Sequence, residues 1–201
     1  MSINVCNDRS MASITSLPSG VSGSSLVLIS EQTASSSATI DFTSGIDSTY
    51  KEYIFKFINI HPQTDDKRLE FQADTGTNTN YNQTITSTVF RAYHDENGAS
   101  AGLGYRTDRD QAQGTSFQQF QNEAIGNEND ECLSGYLHIF DPSSTTFVKH
   151  FFGRVSNYGG VGASEHNFAG YFNTTTALTR FRFRIESGNM DSGTIKMYGV
   201  V

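Results

Sequence analysis

The chain has 201 residues, a net charge of −7, 17% charged residues, 18 glycines and 15 phenylalanines without a tryptophan. The acid excess argues against nucleic acid as a partner, because phosphate binding needs a basic footprint. Low charge with abundant Ser, Thr, Asn and Gly argues against solvated helices, and the apolar run Leu26–Ile29 is too short for a signal core or a membrane span.

Residues 1–25 are polar and Ser-rich. Met11, Ile14 and Leu17 recur at helical spacing, but Pro18 and the glycines limit any helix to a turn or two. The segment reads as an extended arm that orders when it docks on a partner, with Met11, Ile14, Leu17 and Pro18 as attachment residues. Cys6 and Cys132 form no CxxC pair and read as free thiols, in keeping with synthesis in a reducing cytoplasm.

From Leu26 to Val201 the pattern is that of one β domain. Ten short runs with strand periodicity alternate with Gly-, Asn-, Asp- and Pro-rich turns, which predicts an all-β, jelly-roll-like β-sandwich. Two strands are apolar on both faces. Tyr50–His61 carries Tyr53, Phe55 and Phe57 against Ile54, Ile58 and Ile60. Thr146–Val155 carries Phe147 and Phe151 against Val148 and Phe152. A two-sheet sandwich covers one face of each sheet, so Ile54, Ile58, Ile60, Val148 and Phe152 are predicted to meet another subunit.

A long insertion, residues 93–131, breaks the strand rhythm. It holds eight acids and two bases between Asp95 and Glu131. Within it, Thr115–Ile125 places Phe117, Phe120 and Ile125 near helical spacing and predicts a short helix across a sheet edge. The C-terminal stretch Arg180–Val201 alternates first Arg with Phe and Ile, then Thr, Lys and Tyr with Ile, Met and Gly, around the turn Ser187–Gly193. It predicts a β-hairpin. Arg180, Arg182 and Arg184 would project from one face with Lys196 joining them across the hairpin, as a contact for an anionic ligand or as a solvated, edge-protecting face.

Motifs for chemistry are sparse. His61, His94, His138, His150 and His166 show no HxH or HExxH spacing. The run Asn127–Glu131 offers alternate oxygens but lacks the glycine and closing Glu of an EF-hand. GxSxG, Walker and dinucleotide fingerprints do not occur, so no catalytic residues, no metal and no cofactor are expected.

Three blocks carry a family resemblance: LVLISEQTASSSATIDFTSGIDSTYKEY (Leu26–Tyr53), SGYLHIFDPSSTTFVKH (Ser134–His150) and ESGNMDSGTIKMYGVV (Glu186–Val201). Together the set resembles small virion proteins of tailed phages of marine bacteria, cyanophages among them. The resemblance implies a non-enzymatic virion structural protein, an exterior capsid decoration or a fibre or appendage module, assembled as a homotrimer on a phage capsid or tail protein. The alternatives are a tail-fibre-like protein that binds a host-surface receptor or glycan, and a glycan-cleaving enzyme, which would need a paired-carboxylate cleft.

Overall fold

The structure is a computed structural model, and it describes residues 25–201. The arm residues Met11, Ile14, Leu17 and Pro18 lie outside the described residues. Thirteen strands follow: β1 (Leu26–Thr33), β2 (Ile40–Phe42), β3 (Glu52–Pro62), β4 (Leu69–Asp74), β5 (Ile85–Asp95), β6 (Ala101–Tyr105), β7 (Ala112–Gly114), β8 (Gln118–Gln119), β9 (Leu133–Phe140), β10 (Lys149–Asn157), β11 (Gly162–Phe172), β12 (Arg180–Ile185) and β13 (Met190–Val200). No helix occurs among the described residues.

The strands form two antiparallel sheets, a β-sandwich of unequal halves. The large sheet has nine strands, ordered β1-β13-β3-β9-β10-β11-β5-β6 with β7 also on β5; the small sheet is β2-β12-β4-β8. The chain crosses from sheet to sheet repeatedly, so strands late in the sequence nest between early ones. This is the connectivity of a jelly roll, with the β9–β11 meander widening one sheet. Inward-facing residues alternate with outward ones most clearly along β10, with Phe151 and Val155 buried and His150, Phe152 and Arg154 exposed.

Phenylalanine fills the space between the sheets because its ring brings large apolar area and no polar atom to satisfy. Phe71 on β4 is the hub. Its ring lies 5.0 Å from Phe120, 5.3 Å from Phe151 and 6.1 Å from Phe172, all tilted or edge-to-face. Phe42, Phe55, Phe57, Phe168, Phe181 and Phe183 complete the buried cluster. Edge-to-face pairs of this kind add roughly 0.5–1.5 kcal/mol each beyond burial.

Four expectations are corrected. Arg180–Val201 is not a hairpin: β12 lies in the small sheet and β13 in the large one. Phe181, Phe183 and Ile185 point into the core from one side, and Ile195 and Met197 from the other. Two strands whose apolar faces meet across a core cannot also lie edge to edge. Thr115–Ile125 is not a helix. It runs along the rim of the small sheet, where β8 pairs β4, Phe120 N–H donates to Leu69 O (3.0 Å) and Ile125 exchanges both backbone bonds with Lys67 (2.8 and 3.1 Å). Partners across the sheet edge satisfy these groups, so the local 3.6-residue pattern is overridden.

Ile60 does not belong to an outer surface. Asn59 takes a left-handed backbone (φ 50°) and the register slips between Phe57 and Ile60. This bulge turns Ile60 inward, where it is fully buried in the core. Val148 precedes β10 and is half-buried, outside any strand.

Two buried features were not visible as such in sequence. Lys149 is fully buried, and its ammonium donates to Phe147 O (2.9 Å) and Thr174 O (3.0 Å), with burial lowering its pKa. His166 is also fully buried; its Nε2 accepts the Glu123 N–H at 3.4 Å. Burial first, then the positive charges of Arg91 and Arg106, hold the His166 pKa down to about 3.

The core makes two expectations. Gly153 faces inward, and a Cβ there would strike the Phe168 ring and lie 2.6 Å from the Tyr136 carbonyl oxygen. Gly153→Ala should therefore cost about 2–3 kcal/mol, read as a lower urea midpoint. His166 sets part of the acid response. Unfolded, it takes up a proton near 6.5, whereas folded it stays neutral until about 3. Its contribution is full above about 6.5 and is lost as pH falls from there toward about 3, reaching roughly 4–5 kcal/mol at the limit. His166→Gln should flatten the loss of stability between about pH 7 and about pH 5, measured by denaturation midpoints at each.

Candidate functional site: the outer face of the large sheet

Nine strands face four, and the large sheet's second face is bare of any other described element. Its composition is decided by the outward residues of each strand. One rung of Cα partners runs Tyr198, Ile54, His138, Phe152, Ala169, Thr88. The next runs Lys196, Lys56, Tyr136, Arg154, Asn167, Phe90, Tyr105. Aromatic rings thus lie side by side across the middle of the sheet, with charges interspersed.

The rings are in contact. His138 stacks on Phe152 at 4.8 Å and 14°, and Phe140 lies 5.4 Å from the same ring. The His138 Nδ1 meets the Glu52 carboxylate, which orients the imidazole. Beside Phe152, between β10, β11 and β5, the face dips into an apolar depression of about 380 Å³ lined by His150, Phe152, Ala169, Tyr171 and Thr88. His150 and Tyr171 are cross-strand partners with rings 6.0 Å apart. Toward the far edge Phe90 (44%), Tyr105 (52%) and Leu103 (76%) are exposed.

Among the residues expected at a subunit interface, Ile54, Ile58 and Phe152 do lie on this face. Phe152 is 43% and Ile58 42% exposed, while Ile54 is screened by its neighbours to 8%. Ile54 and Phe152 flank His138 in one rung. The residues that the sequence reading did not place on this face are His138, Phe140, Tyr171, Phe90, Leu103 and Tyr105. The first two stand with Tyr136 at alternate positions of one strand, an aromatic stripe legible in YLHIF once that strand is known to be central.

The arginine ladder is a different object from the one expected. Arg180, Arg182 and Arg184 do share a face of β12, but their cross-strand neighbours are acids. Arg182 holds Asp41 with two bonds (Nε to Oδ1 2.8 Å, Nη2 to Oδ2 2.6 Å) and lies 4.1 Å over the Tyr81 ring. Arg184 Nε donates to Glu70 at 2.6 Å and lies 3.8 Å over the Phe117 ring. Arg180 donates to the Asn78 carbonyl at 3.3 Å. Lys196 stands in the other sheet and pairs with Glu31 at 3.1 Å. The four cations therefore do not form one anion-binding patch, because intrachain carboxylates already neutralise the central ones.

The remaining polar sequence features also turn inward. Glu131 is 6% exposed and accepts the Glu128 N–H at 2.9 Å, closing the acidic run onto itself. No cluster of three or more His, Cys, Asp or Glu side chains suited to a metal ion occurs among the described residues. Cys132 is a free thiol.

Glu70 is 5% exposed, and burial raises its pKa despite Arg184 beside it. Removing that arginine strands a buried carboxylate. Arg184→Met should destabilise the fold by about 2–4 kcal/mol at neutral pH. The deficit should shrink on acidification, since Glu70 protonates more readily in the variant. Urea titrations of both proteins at neutral and acidic pH check this; an arginine held ready for an external anion would be nearly neutral to stability.

No protein-family model matches this chain, and no curated protein matches it.

Proposed function

We propose that this chain is a non-enzymatic structural subunit of a phage virion, an exterior capsid decoration or fibre and appendage module, which assembles as a homotrimer through the outer face of its large sheet. The observation that carries the reading is that face: a central aromatic stripe with Phe152, Ile58, Phe90 and Leu103 exposed to water. Contiguous apolar surface of several hundred Å² is unusual on a monomer and favours burial between copies. Each Å² of apolar area so buried contributes roughly 25 cal/mol before the cost of association.

The choice of a phage particle rests on the resemblance of the blocks Leu26–Tyr53, Ser134–His150 and Glu186–Val201 to virion proteins of tailed phages, as does three-fold closure. The patterning alone supports an oligomer. In this reading the arm, residues 1–25, docks the trimer on a capsid or tail protein through Met11, Ile14, Leu17 and Pro18.

Light scattering on the purified protein at micromolar concentration should give three times the 22.1 kDa chain mass. The double variant Ile58→Ser, Phe152→Ser should run as a monomer with its fold intact, since both side chains face outward. A wild-type mass equal to one chain would refute self-assembly through this face.

A further inference from the structure

The two ends of the large sheet are built differently. At one end β1 carries a bulge between Leu28 and Ser30 and the charged Glu31. The edge strands of the small sheet are short: β2 has three residues with Asp41 in the middle, and β8 has two. Bulges, charges and short length are the means by which sheet edges avoid pairing with other chains. β6, at the other end of the large sheet, has no charge and no bulge. Its five residues are all exposed, and the stretch NGASAGLGY from Asn97 to Tyr105 holds no charged residue and no proline.

The register decides which backbone groups of β6 are free. Asp95 N–H donates to Ser100 O (2.9 Å), and Arg106 N–H donates to Val89 O (2.8 Å). Hydrogen-bonded pairs alternate with non-bonded ones along an antiparallel ladder. Between these two bonds, the bonded pairs are therefore Tyr93 with Gly102 and Arg91 with Gly104. Ala101, Leu103 and Tyr105 stand in the other pairs and turn their N–H and C=O groups away from β5. No further strand meets them among the described residues. Gly102 and Gly104 bring no side chain to this edge, and a Cβ at Gly104 would meet open space.

A second copy of β6 fits the edge. Turned antiparallel about a two-fold axis at Leu103, it sets that residue opposite its own equivalent and Ala101 opposite the equivalent of Tyr105. Every outward N–H and C=O of the three residues then finds a bond. Charge favours the same arrangement. Asp95 and Glu96, in the turn before β6, form no salt bridge among the described residues. After β6, Arg106 and Arg109 share the one carboxylate of Asp108 (3.2 and 3.5 Å), while Asp110 accepts from the Tyr105 hydroxyl. Antiparallel pairing brings the acidic end of one copy to the arginine end of the other, whereas parallel pairing sets acids against acids. A two-fold contact also closes on itself and leaves no β6 edge for a filament.

We propose that β6 is a docking edge for the β6 of a second copy, paired antiparallel so that two large sheets become one continuous sheet. The contact is distinct from the outer face, because its bonds run in the plane of the sheet. Two five-residue strands fall below the roughly 1,200 Å² of a standard interface, so the contact is weak and gains strength where copies are already held close together.

The test uses the full chain carrying Ile58→Ser and Phe152→Ser, which removes assembly through the outer face. Sedimentation between about 10 µM and about 1 mM should show the mass rising from one chain toward two. Over the same range, amide exchange read by NMR should slow about twofold or more at Ala101, Leu103 and Tyr105, with Gly102 and Gly104 unchanged because β5 already holds them. Leu103→Pro removes one outward N–H and no bond to β5, and Leu103→Lys places a charge on the edge with the backbone intact. Each should hold the mass at one chain across the range with the melting temperature unchanged. The proposal is overturned by a mass that stays at one chain before either Leu103 substitution, which would leave the edge to a strand of a different protein. It is equally overturned by a rise indifferent to both substitutions, or by new protection at Gly102 and Gly104 in place of their neighbours. The wild-type mass at micromolar concentration tests the outer face alone, so the two contacts fail separately.

Discussion

The disparity between the two sheets governs this molecule. Four strands can cover only one face of a nine-stranded sheet, and only part of that face. The buried phenylalanines lie where the two sheets overlap. Phe71, central on β4, reaches Phe151 and Phe172 on the large sheet as well as Phe120 on the rim of its own. Where the overlap ends, the inward residues of β5 and β11 change character from Val89 and Phe168 to Arg91, Tyr93, His166 and Ser164. A polar pocket at that end, walled by Arg91, Tyr93, Asn157 and Ser164, and the aromatic outer face are thus two consequences of one mismatch.

Charge is handled by the same geometry. The small sheet's outward face needs polar residues, and β12 supplies three arginines at alternate positions. Their neighbours β2 and β4 bring Asp41 and Glu70 into register, so the ladder is neutralised within the sheet. The aromatic rings of Tyr81 and Phe117 lie beneath two of the guanidinium groups. A bidentate, ring-stacked arginine loses less freedom than a lysine would in the same place, which suits a half-buried ladder. The large sheet's outward face is treated differently: its charges pair with close neighbours, as Arg154 does with Glu165 and Lys196 with Glu31, and stand among rings that stay accessible.

The outer face and the polar pocket lie on opposite sides of the same strands. Phe152 faces the depression on one side of β10, while Asn157, of opposite parity, faces the pocket on the other. A subunit that associates through the outer face keeps its pocket on the inner one.

The amino-acid sequence by itself determined the class of the fold. Alternation in RFRFRI and KHFFGRV, the glycine and asparagine punctuation and the phenylalanine content all report local strand geometry and bulk burial, which are properties of short segments. The outward placement of Ile58 and Phe152 was legible for the same reason. The tertiary structure alone decided which strands are partners. β12 and β13 are neighbours in sequence yet sit in opposite sheets, because both apolar stripes must reach one core. Asn59 shifts the parity of β3 by one step and takes Ile60 inward, a bulge that periodicity cannot foresee. Thr115–Ile125 abandons its helical spacing for the backbone partners that Lys67 and Leu69 offer. The pocket walled by Asn157, Ser164 and Arg91 joins the β10–β11 hairpin to β5, which lies far earlier in the chain, so its polar side chains carry no signature until the register of the three strands brings them together.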